Sequence, residues 1–184
     1  MPSDKLVAEF VALRERFIWT RICFNTFDSL YGGGGETKRI MEKSAITFFS
    51  DLNRVLQEYC LLQFCRVTDP SPDLTVSRIV NGLKAEALLT AEIEQSAKDM
   101  LAYRELIVAA RNKIIAHADR KVALNETILG EHPAHELEQF FESMFDFNDG
   151  VGRALGIGPL DFRATPCEGD VLDLLRCLRQ SVGD

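Results

Sequence analysis

The chain is predicted to be all-α, and three observations carry the prediction. Apolar residues recur at i, i+3, i+4, i+7 spacing along most of the 184 residues. No run alternates apolar and polar residues as a half-buried strand does. The interruptions fall at Gly- and Pro-rich stretches. At this length and with 46% hydrophobic residues, one well-buried core is expected, in a single domain spanning residues 1–184 with about four long helices and shorter additions.

The elements follow in order. A first helix is expected from Asp4 to Tyr31, with Leu6, Phe10, Leu13, Phe17, Phe24 and Phe27 on one stripe, ended by Gly32-Gly33-Gly34-Gly35. Trp19, with Phe17 and Phe24, repeats with this apolar face and is expected in the core. The second helix keeps its rhythm through Ala45, Phe48, Phe49, Leu52, Val55, Leu56, Tyr59 and Leu62 until Asp69-Pro70 stops it. A short loop between two long helices implies an antiparallel hairpin. A brief third helix, with Asp73 near its N-cap, carries Leu74, Ile79, Val80 and Leu83. Thr90 is placed to cap a fourth helix that runs through Met100, Ile107 and Ile114 toward His117, with Glu92 and Glu94 in its first turn. A fifth follows Pro133, its face marked by Leu137, Phe140, Phe141, Met144, Asn148, Val151 and Leu155. Residues Gly156 to Gly169 read as connection, and Asp170 can cap a last short helix bearing Leu174, Leu175 and Leu178.

Charge and cysteine content exclude several classes. The formal net charge of -7 argues against a chain coated with basic residues for non-specific nucleic-acid binding, but leaves room for a local basic site. Between Arg104 and Lys121 the balance reverses, which fits such a site or a solvated face. There Arg104, Arg111, Lys113, Arg120 and Lys121 face only Glu105 and Asp119. The five cysteines are odd in number and lack C-x-x-C spacing, so they read as reduced thiols of a cytoplasmic protein. The N-terminus shows no signal-peptide pattern, and no apolar run approaches the ~18 residues of a membrane span. Asn125-Glu126-Thr127 fits the glycosylation pattern, which has no meaning without a secretory route. Gly32–Gly35 lacks a following Lys-Ser/Thr and is a turn rather than a P-loop. His132 and His135 have no further Cys or His at metal spacing, so no metal and no cofactor are expected.

The stretch Arg111-Asn112-Lys113-Ile114-Ile115-Ala116-His117 is the one that looks chemical. A histidine exchanges a proton near neutral pH, an arginine offers a permanent fork-shaped charge suited to phosphate, and an amide can orient either. At 100° per residue, Arg104 and Arg111 fall into the apolar stripe of Met100, Tyr103, Ile107, Val108, Ile114 and Ile115. A guanidinium there is either paired with a carboxylate such as Asp51, Glu58 or Asp69, or faces a ligand or a solvated cleft. If the helix stays regular past Ile115, Asn112 lies about 100° to one side of Arg111 and His117 about 120° to the other, with roughly 9 Å of rise between Arg111 and His117. One helix alone does not bring the three groups to a single phosphate.

R-N-x-x-x-x-H near the end of a long helix resembles the motif of the HEPN superfamily. The wider R-N-K-I-I-A-H-A-D, with the upstream F-F-S-D-L-N-R-V-L and L-L-Q-F-C-R-V-T-D-P followed by L-T-V-S-R-I-V, is similar to its AbiU-type abortive-infection branch, over about Ala45 to Asp119. The resemblance implies a HEPN-like helical bundle and a homodimer whose motif helices line a shared cleft. It also implies metal-independent RNA cleavage, in phage defence or as a toxin, with a possible antitoxin or defence-system partner. Arg111, Asn112 and His117 would then be catalytic. Arg104, Lys113 and Arg120 are candidate RNA contacts. Asp119 stands where many HEPN toxins have a tyrosine, and either holds His117 in one tautomer or caps the helix. The superfamily also includes members that bind a nucleotide or protein without cleaving anything, and that alternative stays open.

Overall fold

The computed structural model describes residues 1–71, 73–115, 134–164 and 166–183, and the side chains of 113–115 and 134 fall outside that description. Among the described residues all regular structure is helical: α1 (Asp4–Tyr31), α2 (Gly34–Val67), α3 (Val76–Ala85), α4 (Ala91–Ile115), α5 (Ala134–Ala154) and α6 (Val171–Ser181). The chain divides into two compact units. One comprises Met1–Ile18 with Leu61–Asp161, the other Trp19–Cys60 with Phe162–Asp184, so α1 and α2 each contribute to both.

The core of the first unit is built from the faces that the periodicity marks. Leu6, Phe10, Leu13 and Phe17 of α1, Ile79 and Leu83 of α3, Met100 and Ile107 of α4, and Phe140, Met144 and Val151 of α5 are all buried. Aromatic rings concentrate where the end of α2 meets α4 and α5. Phe64 packs against Tyr103, Phe140 and Phe141 with centroids 6.1, 5.3 and 5.7 Å away, and Phe17 meets Phe147 edge-on at 6.2 Å. Each such ring contributes about 1.5–3 kcal/mol by leaving water.

Polar ties fix the surrounding elements. Arg78 of α3 donates to both carboxylate oxygens of Glu9 on α1, at 3.1 and 2.8 Å, and Arg16 donates to the Leu74 carbonyl at 2.8 Å. On the other side, Arg14 donates to Asn148 Oδ1 at 2.8 Å and to the Gly158 carbonyl at 2.9 Å, while buried Asn148 donates to the Leu160 carbonyl at 3.2 Å. Asn148 therefore sits on the apolar face of α5 with its amide satisfied, the condition for burying it without a large penalty. The turn after α5 comes so close to the helix that Gly152 has no room for a side chain: a Cβ would fall on the Gly158 carbonyl oxygen and the Arg14 guanidinium.

Thr90 caps α4, its hydroxyl accepting from the Ile93 amide at 3.3 Å, and Asp170 caps α6 by accepting from the Leu172 and Asp173 amides. The cap of α3 departs from expectation. It is Thr75, extended at φ -139°, whose hydroxyl accepts from the Arg78 amide; Asp73 lies two residues too early for that bond.

In the second unit, Leu30, Met41, Phe49 and Leu175 form a small core against which Tyr31, Leu52 and Leu56 pack. Trp19 Nε1 donates to Tyr59 Oη and Tyr31 Oη to the Phe49 carbonyl, both at 2.8 Å. Rising numbers on α1 thus meet falling numbers on α2, which is the expected antiparallel order. Three readings need correction here. Gly34 and Gly35 belong to α2 rather than to a turn of four glycines, with Gly34 at φ +79°, a conformation glycine adopts without strain. The helix is also interrupted at Ala45, where the backbone is extended (φ -164°, ψ 71°). And Trp19, Phe48 and Val55 are not core: they are 50%, 59% and 58% exposed, because the side of α2 that carries Phe48 and Val55 lies off the one facing Leu30 and Leu175.

Candidate functional site

Helix α4 positions the candidate site. Its buried direction is set by Ile93, Ala97, Met100, Tyr103, Ile107 and Ala110, and α5 packs on that side. Arg104 and Arg111, seven residues apart, lie close to the same azimuth and are half-buried, whereas Asn112, a further 100° round, is exposed.

The two arginines have different surroundings. Arg104 reaches the end of α2, where its Nη1 donates to the Cys65 carbonyl at 2.8 Å and its Nη2 to Asp69 Oδ2 at 3.3 Å. The last carbonyls of a helix lack intrahelical partners, and Thr68 Oγ1 serves those of Phe64 and Cys65 as well, so Arg104 acts as a cationic cap on α2. Its side chain is only 13% exposed, against 30% for Asp69. Of the three carboxylates compatible with the sequence, geometry selects Asp69; Glu58 pairs instead with Arg54 of its own helix at 2.9 Å. The Cys65 carbonyl is a partner that sequence reasoning missed. The only available signal was general, namely that a helix stopping at Asp69-Pro70 needs donors for its final turn.

Arg111 donates to Asn112 Oδ1 at 3.1 Å, and among the described residues no carboxylate forms an ion pair with it. It is nevertheless close enough to act on Asp69 and Cys65 electrostatically. Asp69 therefore stands in the field of two guanidiniums. The amide of Ser71, at 2.9 Å, holds its carboxyl below the usual carboxylate range, with Arg104 and then Arg111 adding to the effect against the opposing influence of burial. Burial pushes the Cys65 thiol up despite the two arginines, and it raises Cys60 to about 12, so neither is an activated nucleophile.

Carboxylates held low in this way make stability acid-sensitive. Glu9, lowered chiefly by its hydrogen bonds from Arg78, and Asp69 each stabilise the fold fully above the ordinary carboxylate value of about 4, and that stabilisation is lost as the pH falls through the lower folded value. Urea unfolding midpoints should thus fall on acidification below that range. Glu9→Gln should flatten the dependence; an unchanged slope would rule out the Glu9 contribution.

Lys113 lies in α4 with its side chain outside the described residues, and His117, Asp119 and Arg120 lie outside them entirely. The structure thus brings together Arg104, Arg111 and Asn112 of the candidate set, with Asp69 beside them. Among the described residues, no three His, Cys, Asp or Glu side chains are grouped to hold a metal, and no helix is long and apolar enough to cross a membrane.

A chain whose described residues are all-helical in their regular structure, with Arg111-Asn112 in the last turns of α4 and His117 following in sequence, fits the layout of a HEPN-type module. The family described as AbiU2, a HEPN family, matches residues 3–174, nearly the whole length rather than only the stretch that carries the motifs. The chain belongs to the AbiU2 family and is an abortive-infection HEPN-type module. No curated protein and no solved structure matches it.

Proposed function

We propose that this protein is a metal-independent endoribonuclease with a composite site at a homodimer interface, acting in the cytoplasm in phage defence or as a toxin. The observation that carries the reading is the state of Arg111. It is a half-buried cation on the packed side of α4, bonded to a neighbouring amide and not paired with a carboxylate among the described residues. A phosphate is the natural counter-charge for such a fork.

In the proposed reaction the ribose 2′-hydroxyl attacks the adjacent phosphorus while the bond to the 5′-oxygen breaks. The attacking hydroxyl loses its proton and the departing oxygen gains one. The products are a 2′,3′-cyclic phosphate and a 5′-hydroxyl. His117 serves as general acid or base, Arg111 stabilises the charge on the pentacovalent phosphorus, and Asn112 positions the histidine or the phosphate. Lys113 and Arg120 would hold neighbouring phosphates, and Asp119 would orient His117. On a regular helix His117 would lie about 120° round from Arg111, on the side away from Asn112, and in the proposed site a second copy of α4 completes the constellation. RNA should be cut with excess chelator present, leaving cyclic-phosphate ends. Cleavage that requires added metal, or that leaves 3′-hydroxyl ends, would overturn the mechanism.

A second reading, a non-catalytic module that binds a protein such as an antitoxin, draws support from the exposed Trp19, Phe48 and Val55. It predicts intact RNA with every variant.

A further inference from the structure

Asp69, at the end of α2, is bonded to the Arg104 guanidinium and lies within electrostatic reach of Arg111, seven residues further along the same side of α4. If Asp69 were unpaired, its full charge would act on the Arg111 site, either drawing the guanidinium toward itself or repelling an incoming phosphate. Arg104 prevents both. It is anchored twice, to the Cys65 carbonyl and to Asp69, and its low exposure leaves little of it for solvent or a polyanion.

We propose that Arg104 is a positioning residue for the Arg111 site, neutralising Asp69 so that the Arg111 guanidinium stays available to RNA phosphate. This assigns Arg104 a role behind the site rather than a contact with the RNA itself, and it rests on the reading of Arg111 as a phosphate-binding group. The paired Asp69 is then a built-in competitor held in check, and removing its counter-ion converts it into an inhibitor of the neighbouring cation.

The test is a double-variant cycle in the full-length protein, with His117→Ala as background so that the RNA survives. Affinity for a labelled single-stranded RNA oligonucleotide is read by fluorescence anisotropy at fixed salt. Arg104→Ala should weaken binding about tenfold, and adding Asp69→Asn should recover most of that loss, the coupling expected of groups in one charge network. Asp69→Asn should therefore strengthen binding far more in the Arg104→Ala protein than in its parent. Thermal stability separates this from a purely structural role. Arg104→Ala should lower the melting temperature, and Asp69→Asn should not restore it, since the Cys65 carbonyl still lacks the 2.8 Å bond from Arg104 and keeps only the longer 3.4 Å one from Thr68. If the double variant binds as weakly as Arg104→Ala, or if Asp69→Asn alone strengthens binding as much as it does without Arg104, the proposal is overturned while the ribonuclease reading stands. A wild-type protein that neither binds nor cuts RNA overturns both.

Discussion

Replacing His117 with alanine should reduce RNA cleavage by roughly 10²–10⁴-fold, the usual effect of removing a positioned general acid or base. The expectation follows from how roles divide in the proposed site. Arg111 stays in place on α4 and binds the phosphate in substrate and transition state alike. Loss of the imidazole therefore falls on the chemical step, and kcat should drop with little change in KM. Arg111→Ala, in contrast, should affect both constants, because the same guanidinium holds the ground-state phosphate and the developing charge. Equal cleavage by wild type and His117→Ala would sink the assignment of the site, whatever the family membership of the chain.

Gly152→Ala should be the most damaging single methyl group outside the site, costing about 3 kcal/mol. The added carbon would overlap the Gly158 carbonyl and the Arg14 guanidinium, and neither can retreat freely. Arg14 is fixed by Asn148 Oδ1 and by that same carbonyl, and Asn148 in turn holds the Leu160 carbonyl. Relief requires moving the turn off α5 and breaking these bonds together. For a chain of this size, a loss of that order lowers Tm by roughly 6–12 °C, measurable by calorimetry or circular dichroism. Gly35→Ala, where a Cβ meets nothing within 4 Å, is the matched control and should leave Tm close to wild type. Equal melting of wild type and Gly152→Ala would show that the turn yields.

Much of the fold was legible because amphipathic helices announce their buried faces. Phe10, Leu13, Met100, Ile107, Phe140 and Val151 are where the 3.6-residue period puts them, and Thr90 and Asp170 cap the helices they precede. The period fails in the second unit for two physical reasons. An apolar residue type does not say whether its own chain covers it, so Phe48 and Val55 read as core yet stand open. And the interruption of α2 falls at Ala45, the residue type best suited to helix, so no local preference marks it. Asp73 and Thr75 are both good caps, and only the direction of the incoming chain chooses between them. At the site, the azimuths of Arg104 and Arg111 were readable from spacing alone. Their different partners were not, since Asp51, Glu58 and Asp69 are equivalent as letters and a main-chain acceptor such as Cys65 has no letter at all.

The extended residue at Ala45 also divides the cooperativity of α2. Helical order spreads because each new hydrogen bond builds on the last turn, whereas starting afresh requires fixing several residues for a single bond. With that relay cut, unwinding that begins at Gly34 stops at the break and does not run on toward Cys65. The turn that Arg104 caps is insulated from fraying at the far end of the same helix.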